Sequence, residues 1–286
     1  MPRRTIGWAL AALALAAPAA AAAATLELRD VAARVTVIPE DREDIDVQVT
    51  RTNPRLPVRI SREAGGTTVV EGGLAHDWWR LLMTGQVMGC SDDEDLPRMK
   101  MKLSGVHEDL PEIVVRTPRA AHIESHGSII GSIGRSDDVD LSIAGCDHWT
   151  IANVRDDLAI RYAGAGRVNA GSARRINVKI FGAGDVAVNA ASEGMAVELA
   201  GAGDVTAASA SGPVKLEIAG NGDVKIGGGH ASQLTVHIAG SGDVDYLGVA
   251  DSLDASIAGA GDINVAKVDG PVSKSVAGSG SITVGP

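Results

Sequence analysis

The sequence predicts an all-β chain: a parallel β-helix (β-solenoid) with coils of ~19 residues, preceded by a β-rich amino-terminal region and an irregular insertion. Three observations carry that prediction. The segment Ile218-Ala219-Gly220-Asn221-Gly222-Asp223-Val224 recurs in close copies, whose aspartates fall at Asp185, Asp204, Asp223, Asp243 and Asp262, at intervals of 19, 19, 20 and 19. The register continues in degenerate form to Arg167, Asp147 and Ser128 upstream and to Ser281 downstream. Between these corners apolar and polar residues alternate with a period of two, and helical periodicity is absent from the repeats.

Residues 1–24 read as an export signal: Arg3 and Arg4 open it, Ile6 to Ala17 form an apolar run, and Ala22-Ala23-Ala24 precede Thr25 as a small-residue cleavage site. An uncleaved membrane anchor is the alternative, although the run is short and Ala-rich for a span. No later stretch is expected to cross a bilayer as a helix, so the mature chain has no expected transmembrane segment. Without Arg3 and Arg4, 24 basic residues stand against 36 acidic ones, a formal charge of −12. That balance argues against nucleic acid as a partner, because phosphate binding draws on clustered Lys and Arg. The two cysteines, Cys90 and Cys146, would meet an oxidising compartment after export, and a bridge between them is expected. Closing that span would contribute about 4 kcal/mol in the chain-entropy picture. Two unpaired buried thiols are the alternative.

Residues 25–110 form the expected amino-terminal β region. Leu26 and Leu28, Val35 and Val37, then Ile45, Val47 and Val49 alternate with polar residues, and Asn53-Pro54 and Gly65-Gly66 supply turns. Within it, 73–110 breaks the pattern and reads as an insertion with room for one short helix. It carries Trp78 and Trp79 and an acidic run, Asp92-Asp93-Glu94-Asp95. The adjacent tryptophans are expected to cover an apolar end of the solenoid or to make a partner-binding patch, with Trp149 close by.

Residues 111–286 are the repeats. Val214, Leu216 and Ile218 point one way and Lys215 and Glu217 the other, and the same holds for Leu234, Val236 and Ile238 against Thr235 and His237. A second short strand follows each corner, as in Val224-Lys225-Ile226. Columns of β-branched residues facing inward describe parallel strands stacked coil on coil; the absence of helical periodicity excludes a leucine-rich repeat, and a propeller blade would need about 40 residues with aromatic signatures. Lys274 takes the inward position held by Ala255 one coil earlier, a charge suited to stopping further edge pairing at an end rung. At the corners, glycines permit a sharp turn and close backbone approach, and the Asp is expected to accept hydrogen bonds from turn amides. Stacked carboxylates about 4.8 Å apart repel, so the column needs amide donors, solvent or bound cations. Calcium is the cation such a column would take, but the calcium-binding nonapeptide roll has a different unit, and no helix follows these turns to cradle a phosphate.

Repeated Ala-Gly-x-Gly-Asp-Val corners at this spacing, an exported chain and a preceding β region resemble the head GIN domain family named for autotransporter adhesins, a domain of unknown function. The segment Pro111 to Ile123 looks like the strand pair through which that family enters its repeats. The resemblance implies a right-handed solenoid, a handedness that parallel crossovers also favour, in the periplasm or on the outer cell surface. It transfers no catalytic residue. The expected function is therefore a non-enzymatic envelope scaffold for adhesion or for contact with an envelope protein or glycan, with no cofactor beyond possible calcium. The alternative is a polysaccharide-active or calcium-binding solenoid, for which His122, Glu124, His126, Asp147 and His148 are the candidate acid/base or metal cluster.

Overall fold

The computed structural model describes residues 24–63, 65–73 and 110–286. No helix occurs among them, and the described chain is a parallel β-solenoid of about 9 turns. The strands in chain order begin with β1 (Thr25–Glu40), β2 (Asp46–Arg51), β3 (Arg59–Arg62), β4 (Thr67–Glu71), β5 (Glu112–Pro118) and β6 (Ala120–Ile133). The early coils add β7 (Asp138–Ile143), β8 (His148–Ile151), β9 (Asp157–Tyr162), β10 (Ala165–Ala170) and the long β11 (Ala173–Gly201). The regular coils follow: β12 (Val205–Ala210), β13 (Gly212–Gly220), β14 (Val224–Ile226), β15 (His230–Gly240), β16 (Val244–Ala250), β17 (Leu253–Gly259), β18 (Asp262–Val268), β19 (Val272–Gly278) and β20 (Ser281–Val284).

Each coil lays one short strand on each of two faces. The first face stacks β7, β9, the two ends of β11, β13, β15, β17 and β19, and the second stacks β8, β10, the middle of β11, β12, β14, β16, β18 and β20. Because side chains alternate along a strand, in-register stacking gathers every second residue into an inward column. One runs Leu26, Ile123, Leu141, Ile160 and Val178. It continues in Val197, Leu216, Val236 and Ala255, all at most 2% exposed. Each large aliphatic residue so buried contributes about 1.5–3 kcal/mol.

A glycine column marks the first corner. A Cβ at Gly220, Gly240 or Gly259 would lie 2.1, 2.0 or 1.9 Å from the carbonyl oxygen of the glycine one coil earlier, and all three have φ near 150°. The same contact runs back through Gly201, Gly182, Gly164 and Gly145 to Gly127. In β1 the corner is turned without glycine, by Asp30 at φ 51° and a register shift between Arg29 and Val31. Asp is among the few side chains that accept such a φ.

The solenoid begins earlier in the chain than its repeats do. β1 spans both faces as a coil of its own, pairing in parallel with β6 on one side and with β4 and β5 on the other. The amino-terminal strand is thus inserted between the rung made by β4 and β5 and the first coil after it. β3 and β2 then pair antiparallel with β4 and β5 and cover that end. At the other end, β19 and β20 pair only with the preceding coil. There Lys274 does occupy the inward column above Ala255, and its Nζ donates to the carbonyl of Ile282 at 3.1 Å.

Candidate functional site

Three places on this frame carry concentrated chemistry. The first is the outer column beside the glycine corner. Asp185, Asp204, Asp223, Asp243 and Asp262 lie one above another, exposed or half-exposed, between Arg167 and Ser281. Each Asp Oδ1 accepts from the backbone N–H of the equivalent residue in the next coil: Asp204 to Asp185 at 3.2 Å, Asp223 to Asp204 at 2.9 Å, Asp243 to Asp223 at 2.8 Å and Asp262 to Asp243 at 2.7 Å. Ser281 closes the series, donating both N–H and Oγ–H to Asp262 at 2.8 Å. The donors are therefore amides of the neighbouring coil, not of the same turn, because stacking aims the next N–H at the carboxylate below. Arg167 meets Asp185 at 3.7 Å and offsets charge at the upstream end.

The second place is inside. Asp147 was expected to continue the aspartate column, with Arg167 above and Ser128 below; the structure corrects that register by one residue. Arg167 and Ile130 pair with His148, so His148 takes the outer position. Asp147 occupies the place of the second corner glycine, equivalent to Gly184 or Gly203, which points inward. Its carboxylate is fully buried; it accepts from Ser125 Oγ at 2.5 Å and from the Ile129 N–H at 2.8 Å, and faces Trp149 Nε1 at 3.5 Å. Tyr162 donates to the Asp147 carbonyl at 2.9 Å. Desolvation pushes the Asp147 carboxyl above its ordinary value, against the pull of these hydrogen bonds and of nearby His126. Burial, reinforced by the Asp147 charge, likewise raises Tyr162.

The candidate cluster of the early coils is divided by the same alternation. His122, Glu124 and His126 do share the outer side of β6, whereas Asp147 is turned to the core. His122 Nδ1 lies 4.0 Å from Asp140, whose carboxylate is held by Arg161. Among the described residues no three His, Cys, Asp or Glu side chains gather as a metal site.

Trp149 is not part of a surface patch. It is 1% exposed, its indole lying over Gly131, where a Cβ would come within 2.1 Å of the ring. Trp78, Trp79 and Cys90 lie outside the described residues, as does the expected bridge to Cys146. Cys146 itself sits at the corner between β7 and β8, its N–H donating to Gly127 at 3.1 Å.

The third place had no periodic signal to announce it. At the second corner, where β1, β5 and β6 end or begin, a cleft of about 510 Å³ is lined by Thr36, Ile38, Arg119, Ser132, Arg135 and Thr150, among others. Thr36, Ser132 and Thr150 stack in one outward column of the second face, and the column runs on to Asn169. The Arg119 carbonyl accepts from the Asp137 N–H at 2.9 Å, which ties the corner to the next coil.

The structure is similar over 91% of both chains to a crystal structure from Bacteroides fragilis NCTC 9343 described as a "putative adhesin", at 19% identity and a TM-score of 0.39. It is similar, again over 91% of both chains, to a "Putative lipid binding protein" from Parabacteroides distasonis ATCC 8503, at 17% identity and a TM-score of 0.43. A "putative cell adhesion protein" from Clostridium sporogenes ATCC 15579 aligns over 92% of this chain and 93% of that one, at 10% identity and a TM-score of 0.21. Comparison with curated proteins returns no match. Residues 179–285, the coils that hold the aspartate ladder, match the model of the family described as "Putative auto-transporter adhesin, head GIN domain", the family that their corners resemble.

Proposed function

We propose that this chain is an exported, non-enzymatic scaffold of the cell envelope, in the periplasm or on the outer surface, that presents its outward columns to an envelope protein or glycan. The observation that carries the reading is the continuity of those columns. On the first face, Glu198, Glu217, His237 and Ser256 stand in line. On the second face, Thr206, Lys225, Asp245 and Asn264 do the same. Stacked coils with a continuous core hold such columns rigidly, so a ligand meets a preorganised surface. The family description of residues 179–285 supports an adhesion-type role. No helix among the described residues is long and apolar enough to cross a membrane.

The aspartate ladder is structural in this reading, capped by amides, and the protein works without a cofactor; millimolar calcium is expected to leave the melting temperature unchanged. The Cys90–Cys146 bridge is proposed to pin the insertion to the early coils, and thiol titration of protein purified from an oxidising compartment is expected to find none. The test of the function is retention of envelope extract on the immobilised mature chain. Retention that weakens when one outward column is replaced by alanine supports the proposal, and an absence of retention overturns it.

A further inference from the structure

We propose that the cleft at the second corner of the early coils is a binding site for an acidic saccharide, one whose charge is a carboxylate or phosphate group on a sugar of an envelope polysaccharide. The inference rests on the scaffold reading above and gives it a ligand class and a place. Its starting point is an imbalance of partners. The acidic side chains around the corner are already engaged: Asp41 with Arg119 at 3.0 Å, and Asp137 with Arg155 at 3.0 Å. Arg135, exposed on the rim, has neither ion pair nor hydrogen bond among the described residues. A free guanidinium beside a cleft, on a chain with a large excess of acidic residues, is a local reversal of charge. Its planar fork of donors fits a carboxylate or phosphate bidentately.

The rest of the cleft fits a sugar. Thr36, Ser132 and Thr150 present hydroxyls about 4.8 Å apart along the axis, the spacing of adjacent strands. Each hydroxyl both donates and accepts, as sugar hydroxyls require. Ile38, 37% exposed, offers an apolar edge beside them. The cavity volume is in the range of small-ligand sites, which run from about 300 to 1,000 Å³. An acidic peptide is the weaker fit. Peptides captured on β proteins add a strand to a free edge, whereas here β1 and β6 are each paired on both sides. Their backbone groups are spent, and only side chains face the ligand. Among the described residues no aromatic ring lines the cleft to stack a neutral sugar, so the anionic group supplies the anchor.

The test is calorimetric titration of the mature chain with an oligogalacturonate, a phosphorylated mannan fragment, a neutral oligosaccharide of matched length and an oligoglutamate. Binding of either acidic saccharide, with at least tenfold loss in Arg135→Ala and no change in the distant Arg59→Ala, supports the site. Asp41→Asn, which frees Arg119 from its carboxylate, is expected to tighten binding several-fold, a gain that misfolding cannot produce. Which saccharide binds distinguishes carboxylate from phosphate recognition. Failure of both acidic saccharides to bind, equal loss in Arg59→Ala, or tighter binding of oligoglutamate overturns the site. If envelope retention persists while neither saccharide binds, this inference falls and the scaffold reading stands. If saccharide binds but envelope is not retained, the scaffold reading falls alone.

Discussion

Asp147 and Asp204 are the same residue type at almost the same place in two coils, yet one is sealed in the core and the other is exposed in a ladder. Asp204 stands three residues after its corner glycine, Gly201, where side chains point out. Asp147 stands two after Gly145, where the regular coils place a second glycine and side chains point in. One step along a strand reverses the face. The regular coils therefore leave their carboxylates hydrated and amide-capped, whereas the early coil must satisfy one internally with Ser125, the Ile129 N–H and Trp149. The difference teaches that position relative to the glycine column, not the residue type, decides what an acidic corner does.

The strongest way to break the comparison is to destroy the column that both corners share. Gly240→Val places a Cβ 2.0 Å from the Gly220 carbonyl oxygen at φ 148°. Backbone cannot give way there without parting two coils, so a loss of about 3 kcal/mol or more is expected in urea denaturation. Next comes the buried carboxylate. Asp147→Leu keeps the branched shape of the side chain but strands the Ile129 amide and the Ser125 hydroxyl, and a loss of about 2–4 kcal/mol is expected by the same measurement.

Asp147→Asn sharpens the contrast without emptying the site. A carboxyl whose value is raised in the fold holds its proton more tightly there than in the unfolded chain. Its contribution to stability is complete below the ordinary carboxylate value and is lost as pH rises through the raised one. Wild-type stability relative to Asp147→Asn should thus fall as pH climbs from about 4, read from urea midpoints at pH 3 to 8. A difference that does not change with pH would show that the fold leaves the Asp147 carboxyl at its ordinary value. The smallest effect belongs to the ladder. Asp223→Ala removes one exposed acceptor and one of several like charges, and a change within about 1 kcal/mol is expected. A larger loss would mean that the ladder, and not the core, holds adjacent coils together.

The regular coils were legible because each repeats the same local instruction. Val214, Leu216 and Ile218 alternate inward, and Gly220 and Asp223 mark the corner, so spacing alone yields coil length and the aspartate column. The early coils misled for a definite reason: counting aspartates put Asp147 in the outer column. Counting Gly127, Gly145, Gly164 and Gly182 would have placed His148 there and Asp147 inside. Trp149 followed the same error, because its burial depends on Gly131 one coil away, a vacancy that no local pattern reveals.

What the sequence by itself determined is therefore the coil: its length, its inward and outward residues, and its glycine corner, all of which are short-range periodic features. Only the tertiary structure decided that β1 lies between the rung of β4 and β5 and the coil of β6, and that Arg119, Arg135 and Thr36 meet at one cleft. Those residues come together through pairing between distant segments, and hydrogen bonds between stacked strands leave no mark on the spacing of residues along either one.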